Sequence, residues 1–130
     1  MFGACPADDD AMVAAMTRLW KAFLNTLNGL GWALRHEQAI REEFAALALG
    51  LPASFFVAPS LAWWLALVGS LLALIVVELL NTAVEKLSDH VTPEHSQAIK
   101  VVKDLGSAAV FFALLVAFAI WAAALWVRFA

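Results

Sequence analysis

Leu61 to Asp89 reads LAWWLALVGSLLALIVVELLNTAVEKLSD, and its polarity changes once, near Leu80. Between Leu61 and Leu80 the only charge is Glu78. A helix that crosses a bilayer needs about 20 mainly apolar residues, so this run predicts a membrane span. Beyond it the chain turns polar but keeps helical spacing. Glu78, Asn81 and Glu85 stand at i, i+3 and i+7, and Asp89 adds a further i+4 step, so all four share one helix face. A carboxylate in hydrocarbon costs roughly 2.5–3.5 kcal/mol at the bilayer centre and less near the interface, so such groups usually face protein, water or ions. The plainer alternative, a solvated helix end from which Glu78 reaches the interface, leaves the shared face without a reason.

Two other runs accompany it. Leu105 to Val127, LGSAAVFFALLVAFAIWAAALWV, carries no charge and has Trp121 and Trp126 toward one end, where an aromatic belt sits; Trp63 and Trp64 mark the corresponding end of the first run. Phe44 to Val57 is shorter and interrupted by Gly50 and Pro52, so to cross it must borrow the polar turn from Glu37 to Glu43. Of the 130 residues, 64% are hydrophobic and 15% charged, against about 45–50% and about 25% in ordinary soluble domains. The expected fold is therefore all-α and membrane-embedded, one domain over residues 1–130. It has a tail over 1–10, an amphipathic surface helix over 11–28, and transmembrane helices over 36–57, 61–89 and 95–127 with cytoplasmic extensions. In the surface helix Met12, Met16, Leu19 or Trp20, Phe23 and Leu27 recur at helical spacing behind a cap from Asp8 to Asp10, and Asn28-Gly29 with Gly31 predict a turn toward the first span. Val91-Thr92-Pro93 predicts the end of the second span's helix, and Glu94 to Asp104 starts the third in water. Three spans offer few faces to hide Glu78 from lipid, so a homo-oligomer is expected.

Charge sets the orientation. Arg18, Lys21, Arg35 and Arg41 precede the first span and Lys86, Lys100 and Lys103 lie between the second and third, whereas Ala58 to Ser60 has no charge and Arg128 is the only cation at the far end. Lysine and arginine accumulate in cytoplasmic loops, so the N-terminus is expected inside and the C-terminus outside. Asp8, Asp9 and Asp10 stand where a secretory signal carries basic residues, so the N-terminal stretch is expected to be retained. The lone Cys5 excludes an intrachain disulfide framework. The formal net charge of -3, without a basic face, argues against a nucleic-acid partner. His36, His90 and His95 have no metal-pair spacing and read as solvated or head-group contacts.

Three charged patches fall at one predicted depth, the cytoplasmic face. Lys100, Lys103, Asp104 and Ser107 stand at i, i+3, i+4 and i+7 and run into Gly106-Ser107-Ala108-Ala109, where small residues permit close packing. Glu37 and Arg41 stand at i, i+4 with Glu43 beside them. Singly, these read as surface ion pairs; together with the Glu78 face they suit a place where a water-soluble phosphate donor meets a lipid head group. Hard cations such as Mg²⁺ prefer carboxylate oxygen, which makes Glu37 and Glu85 candidate ligands bridging nucleotide phosphates, and Lys103 a neutraliser of phosphoryl charge. Glu78, the deepest carboxylate, is the candidate proton acceptor for an alcohol. There is no G-x-x-x-x-G-K-[ST] loop, so nucleotide binding would need another arrangement.

At these residues the chain resembles the prokaryotic diacylglycerol kinase family of small trimeric integral membrane enzymes. The resemblance is carried by Glu78-Leu79-Leu80-Asn81-Thr82-Ala83-Val84-Glu85, by Val102-Lys103-Asp104-Leu105-Gly106-Ser107-Ala108-Ala109-Val110 and more loosely by His36-Glu37-Gln38-Ala39-Ile40-Arg41-Glu42-Glu43. It implies Glu78 as general base, Glu37 and Glu85 as ligands of Mg²⁺, and Asn81, Glu85, Lys103, Asp104, Glu37 and Arg41 as contacts to ATP and its phosphates. Glu43, Asp89 and Ser107 would support the site. It also implies active sites between neighbouring subunits of a homotrimer in the bacterial inner membrane, with a periplasmic C-terminus. The chain departs from the family in Ile40, where phenylalanine is common, in Asn28, where a basic residue is common, and in the less basic approach Ile99-Lys100-Val101-Val102.

The resemblance leaves two lipid acceptors, diacylglycerol and the longer undecaprenol, and Gly106 to Val110 looks like the diacylglycerol-preferring branch. A different class, a small oligomeric proton or ion pathway through Glu78, meets an obstacle: the third span has no polar residue beyond Ser107 to complete a route.

Overall fold

The computed structural model describes residues 6–91 and 96–130, with side chains from Asp10 onward. Four helices account for these residues: α1 (Pro6–His36), α2 (Gln38–Val57), α3 (Leu61–Val91) and α4 (Gln97–Phe129). The chain divides into two units, Met1–Glu37 and Gln38–Ala130. Cys5, the Thr92-Pro93 stop, Glu94 and His95 lie outside the described residues.

In the first unit the expected surface helix over 11–28 is longer than its spacing suggested. Asn28, Gly29 and Gly31 all lie within α1, no glycine among the described residues has a positive φ, and Asp8 to Asp10 are inside the helix rather than ahead of it. A helical glycine costs about 1 kcal/mol relative to alanine, which favours a turn only where the flanking sequence also abandons the helix. Leu27, Leu30, Trp32, Ala33 and Leu34 do not. The chain leaves the helix at Glu37 alone, whose N–H still donates to the Ala33 carbonyl at 2.8 Å. Met12, Val13, Met16, Leu19, Trp20, Phe23 and Leu27 are all exposed.

In the second unit α3 is the central element, packed on α4 and on α2. α2 runs through Pro52 without interruption, although proline removes one helical donor. Gly50 matters there for its missing side chain: a Cβ would lie 2.6 Å from Leu71 Cδ1 and 3.4 Å from the Trp121 ring, so its absence lets α2 approach both partners. Ala58-Pro59 ends α2, because proline disfavours a helical conformation in its predecessor. Ser60 then opens α3, its Oγ accepting the Trp63 N–H at 3.4 Å. Ile40, Ser54, Leu67, Leu74, Ile75, Ala117 and Ala124 are buried. The Ser54 and Ser70 hydroxyls donate to their own helices, to the carbonyls of Leu51 at 2.6 Å and Leu67 at 2.8 Å, so neither needs water in an apolar interior.

α3 and α4 are each long and apolar enough to cross a membrane. α2 carries Arg41, Glu42 and Glu43 near its start, and its uncharged run from Phe44 to Val57 is shorter than the about 20 residues a span requires. The outward faces of α3 and α4 expose Leu65, Val76, Leu80, Phe111, Phe112, Val116 and Phe118. A continuous apolar surface of this kind would drive association in water, whereas hydrocarbon solvates it.

Candidate functional site between α2, α3 and α4

The packed face of α3 is also its polar face. Leu67, Ser70 and Leu74 are buried on it, and continuing at steps of three and four the same face carries Glu78, Asn81 and Glu85, all half-buried. The carboxylates therefore enter the helix interface rather than lipid. Three levels follow along α3.

At the deepest level Glu78 meets Glu43 of α2, and the two carboxylates repel one another. Glu43 Oε2 is buried and has no hydrogen-bond partner among the described residues. Like charges held together in a poorly hydrated place either share a proton or take up a cation.

One turn further along, Asn81 Nδ2 donates to Glu85 Oε1 at 3.3 Å. Its Oδ1 is buried against α4 without a hydrogen-bond partner among the described residues. A Cβ placed on Gly106 would overlap this oxygen and lie 3.3 Å from Asn81 Cγ, so the bare backbone of Gly106 forms the wall against which the carboxamide rests.

At the end of the helix Asp89 Oδ1 accepts from Lys103 Nζ at 2.5 Å, joining α3 to α4 across the 92–95 connection. Asp104 pairs instead with Lys100 of its own helix, at 2.7 Å, and both side chains are well exposed. Exposed pairs of this kind contribute about 0.2–1 kcal/mol, so phosphate groups can displace them at small cost.

The structure thus gathers Glu43, Glu78, Asn81, Glu85, Asp89 and Lys103 along one side of α3. Asp104 and Ser107 occupy exposed positions of α4, Arg41 an exposed position of α2, and Glu37 belongs to the N-terminal unit. Lys103 and Asp104, adjacent in sequence, take different partners. His36 Nδ1 lies 2.8 Å from the Trp32 carbonyl and its ring stacks on Trp32 at 4.7 Å, a contact within α1; His90 is exposed. Gly106 is the member that sequence reasoning passed over. The run of small residues signalled close packing, but not that the packed neighbour is Asn81.

No three carboxylates, imidazoles or thiolates converge as a ready metal cage among the described residues. A Mg²⁺ arriving with nucleotide takes most of its ligands from phosphates and water, so one or two carboxylates suffice. Glu85 fits such an ion: its carboxylate oxygens are hard donors, and its Oε1 is oriented by the Asn81 Nδ2 at 3.3 Å.

The family profile of prokaryotic diacylglycerol kinase matches residues 24–125, which include every residue of the three levels. The chain is 33% identical over 113 residues to a protein named diacylglycerol kinase from Escherichia coli, covering 87% of this chain and 93% of that one. A protein of the same name from Haemophilus influenzae is 32% identical over 106 residues, covering 82% and 90%. Another from Pseudomonas aeruginosa is 34% identical over 107 residues, covering 82% and 87%.

Proposed function

The chain belongs to the prokaryotic diacylglycerol kinase family, and from that premise we propose that this bacterial membrane kinase transfers the γ-phosphoryl group of ATP directly to diacylglycerol, giving phosphatidic acid and ADP. The observation that carries the reading is the continuation of the packed face of α3 into Glu78, Asn81 and Glu85. A lipid hydroxyl and a polyphosphate must meet where an apolar wall gives way to charge, and this face supplies that transition.

In this reading Glu78 takes the proton of the lipid hydroxyl as its oxygen attacks the γ-phosphorus, and ADP leaves without a phosphoenzyme. By the family resemblance Glu85 and Glu37 would hold Mg²⁺, which when bound supplies neutralising charge to the transferred phosphates. Asn81 fixes Glu85. Lys103 exchanges Asp89 for phosphate oxygens, and Asp104 and Arg41 complete the nucleotide contacts, with Glu43, Asp89 and Ser107 in support.

The same reading makes α2 a third span, its charged first turns at the membrane face, with the N-terminus cytoplasmic and the C-terminus periplasmic. α1 lies on the cytoplasmic surface with its apolar stripe in the lipid. A homotrimer supplies the walls that three helices lack, with sites between neighbouring subunits. What supports it is the extent of apolar surface left exposed on α3 and α4 beside a charged interior face.

The test is an assay of purified protein in mixed micelles with MgATP and either diacylglycerol or undecaprenol, following lipid phosphate formed. Phosphorylation of diacylglycerol is expected. Preference for undecaprenol would move the acceptor within the family, and no turnover with either lipid would reject the kinase reading.

A further inference from the structure

We infer that Gly106 is a positioning residue of the phosphoryl-transfer site: the missing side chain at this position of α4 holds the Asn81 carboxamide in the orientation that binds Glu85. The inference rests on the assignment of Asn81 and Glu85 to that site.

Two contacts of Asn81 define the geometry. Its Nδ2 donates to Glu85 Oε1 at 3.3 Å, a bond long enough to be lost by a small rotation. Its Oδ1 faces Gly106 with no hydrogen-bond donor among the described residues. The carboxylate of Glu85 fixes which end of the carboxamide turns toward it, because an oxygen there would repel. The amide oxygen is thereby directed at α4, where only a residue without a Cβ leaves room.

The identity of the obstructing atom separates positioning from simple packing. Among the described residues, a Cβ on residue 106 would meet the end of the Asn81 side chain and nothing else within 4 Å outside its own helix. At Gly50 the corresponding Cβ meets Leu71 and also approaches the Trp121 ring, so a substitution there strains the packing of three helices. At Gly106 the fold has a way out: the carboxamide swings aside, α3 and α4 keep their separation, and the hydrogen bond to Glu85 is what is lost. Alanine is also a better helix former than glycine. Replacement should therefore spare stability and remove function.

Gly106→Ala, Asn81→Ala and the double variant are compared in the full chain, by thermal unfolding in detergent, by sizing, and by turnover of MgATP with diacylglycerol. For Gly106→Ala the midpoint and assembly size should equal wild type while kcat falls about tenfold or more. The double variant should be no slower than Asn81→Ala, because the two changes remove the same contact. Without substrate, the Asn81 side-chain amide resonance in an NMR spectrum should shift in Gly106→Ala. A lower midpoint that tracks the loss of activity would make Gly106 a packing residue and overturn the inference, as would additive losses in the double variant. Wild-type turnover in Gly106→Ala with loss in Asn81→Ala overturns the inference alone. Wild-type turnover in Asn81→Ala overturns the site assignment beneath it.

Discussion

Glu78 and Glu43 are neighbouring carboxylates: burial first, and then the charge of Glu78, raise the Glu43 carboxyl above its ordinary range. Removing one charge from such a pair relieves repulsion, so Glu78→Gln should fold and assemble at least as well as wild type while losing turnover. General-base catalysis contributes about 10²- to 10⁴-fold, so kcat should fall by at least about 10²-fold. Turnover in mixed micelles together with elution on a sizing column checks both halves. Retained activity would remove Glu78 as base, and a changed elution volume would make it an assembly residue. The Lys103–Asp89 and Lys100–Asp104 pairs are of another kind. Their exposure limits each to about 0.2–1 kcal/mol, so they orient side chains at the end of α3 rather than hold the helices together.

Among the elements, α3 was the most legible in sequence, because the helical period alone places Glu78, Asn81 and Glu85 on one face and burial of Leu67, Ser70 and Leu74 shows that this face is packed. Contacts between elements were not legible in the same way. Asp89 and Lys103 are separated by the 92–95 connection, and no periodicity within either helix selects them as partners. Nor does periodicity pair Gly106 with Asn81. Local signals can also mislead. Gly29, Gly31 and Pro52 read as breaks, yet α1 and α2 continue through them, since the cost of one weak helix former is recovered by the turns on either side. A direct consequence concerns α1. A turn at Gly29 or Gly31 would require a backbone that alanine resists, whereas a continuous helix gains about 1 kcal/mol from each replacement. Beyond the adjoining turns of α1, no atom of the described residues lies within 4 Å of a Cβ added at either position. The variant carrying Gly29→Ala and Gly31→Ala should therefore keep wild-type turnover and show equal or greater helicity by circular dichroism. A loss of both would restore the turn.

For the whole molecule, the solvent around α2 decides the topology. α3 and α4 satisfy the length and composition of membrane spans, and two spans alone would return the chain to the side from which α3 starts. Residues 58–60 would then share a compartment with α1. If α2 crosses as well, its Arg41, Glu42 and Glu43 remain at the surface while Phe44 to Val57 enters hydrocarbon, and residues 58–60 emerge opposite α1. The charge distribution favours the second arrangement, because Arg18, Lys21 and Arg35 of α1 and Lys100 and Lys103 of α4 would all be cytoplasmic, leaving the uncharged Ala58 to Ser60 outside. Single cysteines in a Cys5→Ser background, placed by Ala15→Cys, Ser60→Cys, Ala98→Cys and Ala130→Cys, resolve this with a membrane-impermeant thiol reagent on intact spheroplasts. Positions 60 and 130 should label at once, and 15 and 98 only after permeabilisation. Labelling of 15 together with 60 would leave α2 at the interface, and the site would then be built around two spans instead of three.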